Sequence, residues 1–306
     1  MYLFQNGDEN LLLDTGWNDV KAYESLLNAF SEIDFKVENL KTILISHLHP
    51  DHIGLASKLK REAKEVAVLM HEKDCEDMAY TPEAYGLFVQ NMSSFLKNHG
   101  APEADLREMI ATIKPLEDQF SGAAKPSTLL KGGETIRVGR WKLRVIGAPG
   151  HTRGNICVSD HSGEILFSGD HILPRITPNV SLSPIYDGDP LGDYLRSIAS
   201  LKKLQPKTVL PSHEYIFNNL GKRIEEIEGH HRERLSEVLQ SLETSAKSGF
   251  EVAAQLTWSV GQFVNLSPWQ RRAALTETLA HIEYLKRQGK VIESRKEIVR
   301  YSKVTS

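Results

Sequence analysis

The sequence has 306 residues, of which 40% are hydrophobic and 25% charged, and its formal net charge is −3. These values are typical of a globular protein with a sizeable core, built as one large domain or as a main domain with a smaller appendage. The mildly acidic balance gives no electrostatic preference for nucleic acid or an anionic membrane. Its 2 cysteines lie far apart, which excludes a disulfide framework and predicts a reducing compartment.

The N-terminal segment, MYLFQNGDEN, lacks the basic stretch followed by an apolar stretch that marks a signal peptide. No apolar run approaches the roughly 18–20 residues needed to span a bilayer. We therefore expect a cytoplasmic protein that has no membrane partner.

The first part of the sequence alternates short β-rich runs with amphipathic stretches, which is typical of an α/β protein. Asn6-Gly7-Asp8 separates two apolar runs and predicts a hairpin, because Asn and Gly adopt positive φ angles readily. Asn18 is the predicted N-cap of the first helix. The predicted elements are strands at 2–5, 10–14, 42–46 and 66–70, helices at about 20–30 and 55–64, and a loop at 47–54.

Two later regions break this alternation. Residues 71–130 are predicted to be a mainly helical insertion with a cluster of large side chains. From about residue 222 helix follows helix, and 289–301 is predicted as a turn and a short β-wing, so we interpret 222–306 as a winged-helix-like module. Between the two regions we predict strands at 134–147, 156–159, 165–168 and 208–210, and a helix at 190–204.

The segment 46–52, Ser-His-Leu-His-Pro-Asp-His, places three histidines and one aspartate directly after a predicted buried strand. A loop in this position can aim several ligands into one cavity, and zinc prefers imidazole nitrogen and carboxylate oxygen. Solvated histidines would not need this context. The segment therefore predicts a metal site at His47, His49, Asp51 and His52.

Three more candidate ligands, His151, Asp170 and His213, each follow a strand-like run. A single histidine after a strand more often has a structural role. The repetition of strand, turn and ligand favours a shared site for all three.

The motifs His-x-His-x-Asp-His, Gly-His-Thr, Gly-Asp and a late Ser-His resemble, in their order, the metallo-beta-lactamase superfamily over roughly residues 1–220. The resemblance implies an α/β fold, a four-layer αβ/βα sandwich with metals at one edge of its two sheets, in a catalytic domain at 1–221. Asp14 matches a residue that orients a ligand histidine. The implied ligands are His47, His49 and His151 for one metal and Asp51, His52 and His213 for the other, with Asp170 bridging.

The sequence departs from the family pattern at its beginning. Family members commonly start with one or two strands before the equivalent of Tyr2-Leu3-Phe4. We therefore expect either a sheet that lacks an edge strand or a shortened form of the chain.

Two metals about 3.5–4 Å apart can share a water and lower its pKa towards about 7. The metal-bound hydroxide attacks a carbonyl carbon or a phosphorus, and a metal stabilises the developing oxyanion. Asp51 is the candidate catalytic residue that orients the water and carries a proton. We expect two zinc ions, although iron and manganese also suit these ligands. A related one-iron branch does not keep the second site, so seven ligands favour a dinuclear hydrolase.

Other side chains are candidates for contacts with the substrate. His171 follows Asp170 directly, and Arg175 lies on a loop that leaves the metal edge and could clamp an anionic group. Tyr85 and Phe88 could line a pocket or a lid. For each of these four side chains, the alternative is a role in packing or a position on the surface. The other histidines, at 71, 99, 161, 230, 231 and 281, are expected on the surface.

The segments 169–173, Gly-Asp-His-Ile-Leu, and 277–281, Glu-Thr-Leu-Ala-His, resemble the superfamily branch that contains lactamase-beta-like endoribonucleases and polyketide thioesterases. Residues 225–306 hold twelve Lys and Arg against eleven Asp and Glu, so a nucleic-acid partner is not favoured. We expect this module to close the pocket or to form a homodimer contact.

Three classes of function remain to be compared. We favour a hydrolase of a small ester, lactone or thioester, with an acyl compound as the partner. The alternative is a metal-dependent phosphodiesterase or endoribonuclease. A binding protein without catalysis is disfavoured, because all seven ligands are present.

Overall fold

The structure is a computed structural model that describes residues 1–120, 123–186 and 188–304. Its elements up to residue 130 are β1 (Tyr2–Asn6), β2 (Glu9–Leu13), α1 (Val20–Glu32), β3 (Thr42–Leu44), α2 (Pro50–Ile53), α3 (Ala56–Glu62), β4 (Ala67–His71), α4 (Glu72–Asp77), α5 (Pro82–Asn98), α6 (Glu103–Ala111), α7 (Glu117–Phe120) and β5 (Thr128–Leu130). The later elements are β6 (Thr135–Val138), β7 (Trp141–Gly147), β8 (Ile156–Asp160), β9 (Ile165–Gly169), α8 (Pro190–Leu201), β10 (Thr208–Pro211), α9 (Leu220–Ser241), α10 (Gly249–Ala253), α11 (Pro268–Arg287), β11 (Val291–Arg295) and β12 (Val299–Lys303).

Two five-stranded sheets carry the fold. The first has the order β1-β2-β3-β4-β5, in which β1 and β2 form an antiparallel hairpin and β2 to β5 run parallel. The second has the order β10-β9-β8-β7-β6, in which β10 and β9 are parallel and the other pairs are antiparallel. Strands β7, β9 and β10 therefore end at the same edge of the second sheet.

The two sheets pack face to face through a shared apolar core. Leu11 and Leu44 of the first sheet lie in one buried cluster with Val145 and Phe167 of the second. Helices α1 and α3 cover the outer face of the first sheet, and α8 and α9 cover that of the second. Burying each large apolar side chain contributes about 1.5–3 kcal/mol. The predicted four-layer αβ/βα sandwich is confirmed.

The helical insertion and the C-terminal helices share one further core. Tyr85 and Met92 of α5 and Met109 of α6 lie in a cluster with Leu275 and Leu279 of α11. Helix α9 spans two cores, because its first turns pack on the second sheet and its last turns pack in this cluster. Three helices followed by the β11–β12 hairpin form a C-terminal helical module. Its winged-helix character and its boundary at residue 222 stay predictions.

Some local predictions are corrected. Asp19, not Asn18, caps α1, because its Oδ1 accepts a hydrogen bond from the backbone N–H of Ala22 at 2.8 Å. The first hairpin turns at Gly7 and Asp8, and only Gly7 of that turn has a positive φ, of 56°. The predicted loop at 47–54 contains the short helix α2, which starts at Pro50, a residue suited to the first helical position. No helix in the described ranges has the length and hydropathy to cross a bilayer.

The prediction of surface positions is wrong for His71, which is 9% exposed at the end of β4, and for the pair His231 and His281. The two side chains of the pair are 1% and 0% exposed where α9 crosses α11. His281 Nδ1 lies 2.8 Å from the carbonyl of Glu277 and therefore carries a proton, so His281 Nε2 accepts from His231 Nδ1 at 3.0 Å. Burial holds the pKa of His281 down to about 3 and that of His231 well below its usual range. Both rings are neutral in the fold.

This histidine pair predicts acid sensitivity. Below pH about 6.5 each ring takes up a proton in the unfolded chain but not in the folded protein, so the unfolding free energy should fall as pH falls. The expected slope is about 1.4 kcal/mol per pH unit for each ring. His281→Gln should remove one ring's share of the slope between pH 6 and 5, measured by urea unfolding. His161→Gln, at an exposed turn, should keep the wild-type slope; equal slopes for all three proteins would contradict the prediction.

Candidate functional site

The candidate ligands meet where strands of both sheets end. His47 is the third residue after β3, and Asp14 directly follows β2. Asp170 directly follows β9, and His213 follows the end of β10. His151 lies beyond β7. Because these strands end at one common edge of the sandwich, residues from distant parts of the sequence come together there.

The first group, the three-histidine cluster, consists of His47, His49 and His151. His47 Nε2 lies 2.9 Å from His49 Nδ1, and His151 Nε2 lies 3.0 Å from the same atom. The opposite nitrogens are engaged elsewhere, since His47 Nδ1 lies 3.0 Å from Ser46 Oγ and His151 Nδ1 lies 2.8 Å from the carbonyl of Asn179. Three ring nitrogens therefore converge on one point, as a cation requires.

The second group, the mixed cluster, consists of Asp51, His52, Asp170 and His213. His213 Nε2 lies 3.1 Å from Asp51 Oδ2 and 3.3 Å from Asp170 Oδ2. His52 Nε2 lies 3.5 Å from Asp170 Oδ1. Asp170 also reaches the other cluster, because its Oδ2 lies 4.0 Å from His151 Nε2. One carboxylate thus stands between the two groups.

Asp14 and Ser46 fix the ring of His52. Asp14 Oδ2 accepts from His52 Nδ1 and from Ser46 Oγ, both at 2.8 Å, and its Oδ1 accepts from the backbone N–H of Ser46 at 2.7 Å. Because its Nδ1 proton is donated to Asp14, His52 turns Nε2 towards the mixed cluster. Asp14 has a positive φ of 60°, a conformation that Asp tolerates better than most residues and that often marks functional positions.

Asp74 is a buried residue of the candidate site that the sequence analysis missed. Its fully buried carboxyl group accepts from the backbone N–H of Leu48 and the hydroxyl of Thr152, both at 2.8 Å, and from the backbone N–H of Gly154 at 2.5 Å. It thereby ties the 47–52 segment to the loop that carries His151. Asp74 is the third residue after β4 and lies in α4, so a strand followed by an acid was present in the sequence, but in a region interpreted as helical insertion.

Close packing shapes the loop that carries His151. Gly150 has a φ of 137°, and a Cβ atom there would collide with the backbone of Tyr194. The predicted substrate contact of His171 is corrected, because its side chain is 0% exposed. His171 Nε2 instead donates to Ser197 Oγ at 2.7 Å, and Ser197 Oγ donates to the carbonyl of Pro149 at 2.9 Å. His171 therefore supports this loop from behind.

The other predicted substrate contacts have different positions. Tyr85 is 2% exposed and its hydroxyl donates to the carbonyl of Ile113 at 2.7 Å, so this prediction is corrected to a packing role. Phe88 is partly buried against the same core. Arg175 is exposed, and its backbone N–H donates to Glu214 next to His213. The substrate contacts of Phe88 and Arg175 stay predictions.

The electrostatics of the two clusters differ. Burial holds the pKa of His49 down to about 3 and that of His47 well below its usual range, so these rings are neutral and offer lone pairs. Burial by itself would raise the pKa of Asp170, but the hydrogen bond from His213 and the neighbouring ring of His52 bring it well below its usual range. Hydrogen bonds to Asp170 and Asp51 raise the pKa of His213 to about 9. Without a metal, the raised pKa of His213 means that the mixed cluster binds protons at neutral pH.

Metal uptake should therefore release protons. Burial alone would lower the pKa of His52, but Asp14 and Asp170 raise it to about 10, so His52 and His213 are both protonated in the metal-free protein at pH 7.5. A cation held through His52 and His213 would displace those protons, and we expect a release of about two per chain. Calorimetric zinc titrations in buffers of different ionisation enthalpy measure this number. His213→Ala should release about one fewer; a release of zero from the wild type would contradict the prediction.

Comparisons with known proteins match the chain to one family and to several relatives. The model of the metallo-beta-lactamase superfamily matches residues 1–213. The probable metallo-hydrolase YqjP of Bacillus subtilis is 24% identical over 288 residues, which cover 91% of this chain and 85% of that protein. The human acyl-coenzyme A thioesterase MBLAC2 is 34% identical over 230 residues, covering 72% of this chain and 74% of that protein. A crystal structure of a metallo-beta-lactamase family protein from Thermus thermophilus aligns with a TM-score of 0.81 and 28% identity, covering 99% of this chain and 93% of that one.

Proposed function

We propose that this chain, which belongs to the metallo-beta-lactamase superfamily, uses two zinc ions to hydrolyse a small acyl thioester. Membership of that superfamily makes the chain a metal-dependent hydrolase.

The donor atoms of the two clusters fit divalent cations. His52 Nε2 and Asp170 Oδ1 are buried and have no hydrogen-bond partner among the described residues. Leaving both unsatisfied costs about 1–3 kcal/mol each, and a cation between them removes that cost. Imidazole and carboxylate together suit zinc, and also iron or manganese. The proposed ligands are His47, His49 and His151 for one ion, Asp51, His52 and His213 for the other, and Asp170 for both.

Bound in this way, the ions would supply an activated water and polarise the carbonyl oxygen of the substrate. Asp51 is the catalytic residue in this proposal. Its side chain is 22% exposed, so it faces the opening of the site, and the hydrogen bond from His213 helps to keep its pKa below the usual range although burial opposes this. The ionised carboxylate can take the proton of the attacking water and return it to the departing sulfur.

An apolar rim beside His213 is suited to an acyl group. The rim consists of Arg175, Ile176, Glu214, Tyr215 and Ile216. The side chains of Ile176, Tyr215 and Ile216 are 52–58% exposed, and Glu214 Oε2 accepts from the backbone N–H groups of Arg175 and Ile176 at 3.0 and 3.4 Å. Exposed apolar groups around a polar site favour a ligand with an apolar part. The exposed Arg175 adds a site for an anionic group, such as a phosphate of coenzyme A.

A combination of two features carries the proposal. Asp170 lies between two ligand clusters, and an apolar rim that includes Arg175 lies at their edge. The human relative named as an acyl-coenzyme A thioesterase supports the choice of a thioester over an oxygen ester or a lactone.

The test compares four substrates on the zinc-loaded protein: an acyl-coenzyme A, an acyl-homoserine lactone, a bis-aryl phosphodiester and a short single-stranded RNA. We expect the highest kcat/KM for the acyl-coenzyme A, and a higher KM after Arg175→Ala or Ile216→Ser. Val264→Ser, at an exposed apolar residue outside the rim, is the matched control and should leave KM unchanged. Preference for the phosphodiester or RNA would replace the proposal by the nuclease alternative.

A further inference from the structure

Residues 179–182, between β9 and α8, touch the three-histidine cluster from outside. The backbone carbonyl of Asn179 accepts a hydrogen bond from His151 Nδ1 at 2.8 Å. That bond fixes the ring proton on Nδ1 and directs the lone pair of Nε2 towards His49, 3.0 Å away. The position of one carbonyl group therefore decides which nitrogen of His151 faces a cation.

Helix α11 holds this segment through two neighbouring residues, Thr276 and Glu277. Glu277 Oε2 accepts from Asn179 Nδ2 at 3.2 Å, and the carbonyl of Thr276 accepts from the backbone N–H of Leu182 at 3.0 Å. Ser181 Oγ donates to Asn179 Oδ1 and lies 2.9 Å from Thr276 Oγ1. These contacts hold the segment in place through the side chain of Asn179 and through Ser181 and Leu182, which follow it.

The helix is itself firmly placed. Ser267 and Gln270 form a capping box at its start, and the side chains of Leu275, Leu279 and Ile282 lie in the core shared with the insertion. The contacts made by Thr276 and Glu277 therefore hold the 179–182 segment against a helix whose own position is fixed by its packing.

Packing alone does not explain Glu277. Its carboxyl group is partly buried, burial raises its pKa to about 7, and no basic side chain pairs directly with it in the part of the chain that the structure describes. A buried acid without an ion pair costs stability. Its contact with Asn179 is the interaction that gives the acid a role.

We infer that Glu277 and Thr276 are positioning residues that act through Asn179 to orient His151 in the metal centre. The inference rests on the metal centre proposed above. It makes the C-terminal module part of that centre and gives a role to the 277–281 segment that the sequence analysis singled out. Without Glu277 the amide of Asn179 loses its acceptor, and the carbonyl that receives the His151 proton is less well fixed.

The test compares Glu277→Ala, Glu277→Gln and Asn179→Ala with the wild type in the full chain. Asn179→Ala keeps the backbone carbonyl but removes the tether to Glu277. The matched control is Glu283→Ala, on the same helix, where the acid pairs with Lys286 and Arg287. The readouts are zinc retained after dialysis against a graded chelator and the visible absorption spectrum of the cobalt-substituted protein, with kcat and KM measured separately.

We expect Glu277→Ala and Asn179→Ala to weaken retention of one metal by about 10–100-fold and to alter the cobalt spectrum. Glu277→Gln should restore most of both properties, since its amide oxygen can still accept from Asn179. The double variant Glu277→Ala/Asn179→Ala should lose no more than Asn179→Ala alone, because Asn179→Ala already removes the amide through which Glu277 acts. Unchanged retention and spectra in both alanine variants, or equal changes in Glu283→Ala, would overturn the inference. A wild-type protein that binds no metal would instead overturn the proposed function.

Discussion

Replacing Asp170 by asparagine should abolish both metal binding at full stoichiometry and hydrolysis. Asp170 stands between the two clusters, 3.3 Å from His213 Nε2, 3.5 Å from His52 Nε2 and 4.0 Å from His151 Nε2. The amide keeps the shape of the side chain but removes the negative charge that both proposed ions share. Changes outside the ligand sphere already cost about 10–100-fold, so kcat/KM should fall by more than about 100-fold.

Metal analysis by mass spectrometry should show fewer than two zinc ions per chain in this variant. Asp8→Asn removes an acid from the exposed tip of the first hairpin and is the matched control, with full metal content and activity expected. The far-ultraviolet circular dichroism spectrum should be the same for both variants. Retention of two ions by Asp170→Asn would show that the carboxylate does not bridge, and would sink the proposed ligand assignment.

The candidate site was more predictable from the sequence than its surroundings were. His47, His151, Asp170 and His213 each follow a strand, and strands that end at a common edge bring such residues together whatever their separation in sequence. A metal ligand must also point its donor atom into the site. Asp14 could be assigned to the site only because its Asp-Thr-Gly motif matches that of the family. Apolar patterning predicted the strands of the two sheets except β5, which lies at the end of the 71–130 segment interpreted as a helical insertion. The arrangement of those strands in a sandwich was implied by the family resemblance.

Features that depend on which elements pack together were not predictable. The buried face of α5 meets α11 rather than a substrate pocket, so Tyr85 lies in a core. His231 and His281 lie fifty residues apart, and only the crossing of α9 and α11 makes them a buried pair. The role of the backbone carbonyl of Asn179 could not be predicted, because a backbone contact leaves no mark in the sequence of side chains. A sequence pattern gives the face of an element, but the partner of that face is decided by the fold.

Asp74→Ala should combine a large loss of stability with a loss of activity. The carboxyl group of Asp74 is the acceptor for the backbone N–H groups of Leu48 and Gly154 and for the hydroxyl of Thr152. Alanine leaves three buried donors without that acceptor, at about 1–3 kcal/mol each. Burial raises the pKa of Asp74 to about 7, so removing the acid also relieves part of its desolvation cost. The expected net loss is on the order of 3–5 kcal/mol in the unfolding free energy.

The loss should appear in denaturant unfolding of chelator-treated protein, where metal binding cannot mask it. Asp74→Asn should fall between the alanine variant and the wild type, because its amide oxygen can keep the bonds from Leu48 and Thr152 while its NH2 faces the N–H of Gly154. Lys73→Ala, on the same helix but with an exposed ion pair to Glu76, should cost less than about 1 kcal/mol. If Asp74→Ala were as stable as Lys73→Ala, the two ligand-bearing loops would have to be joined by something other than this carboxylate.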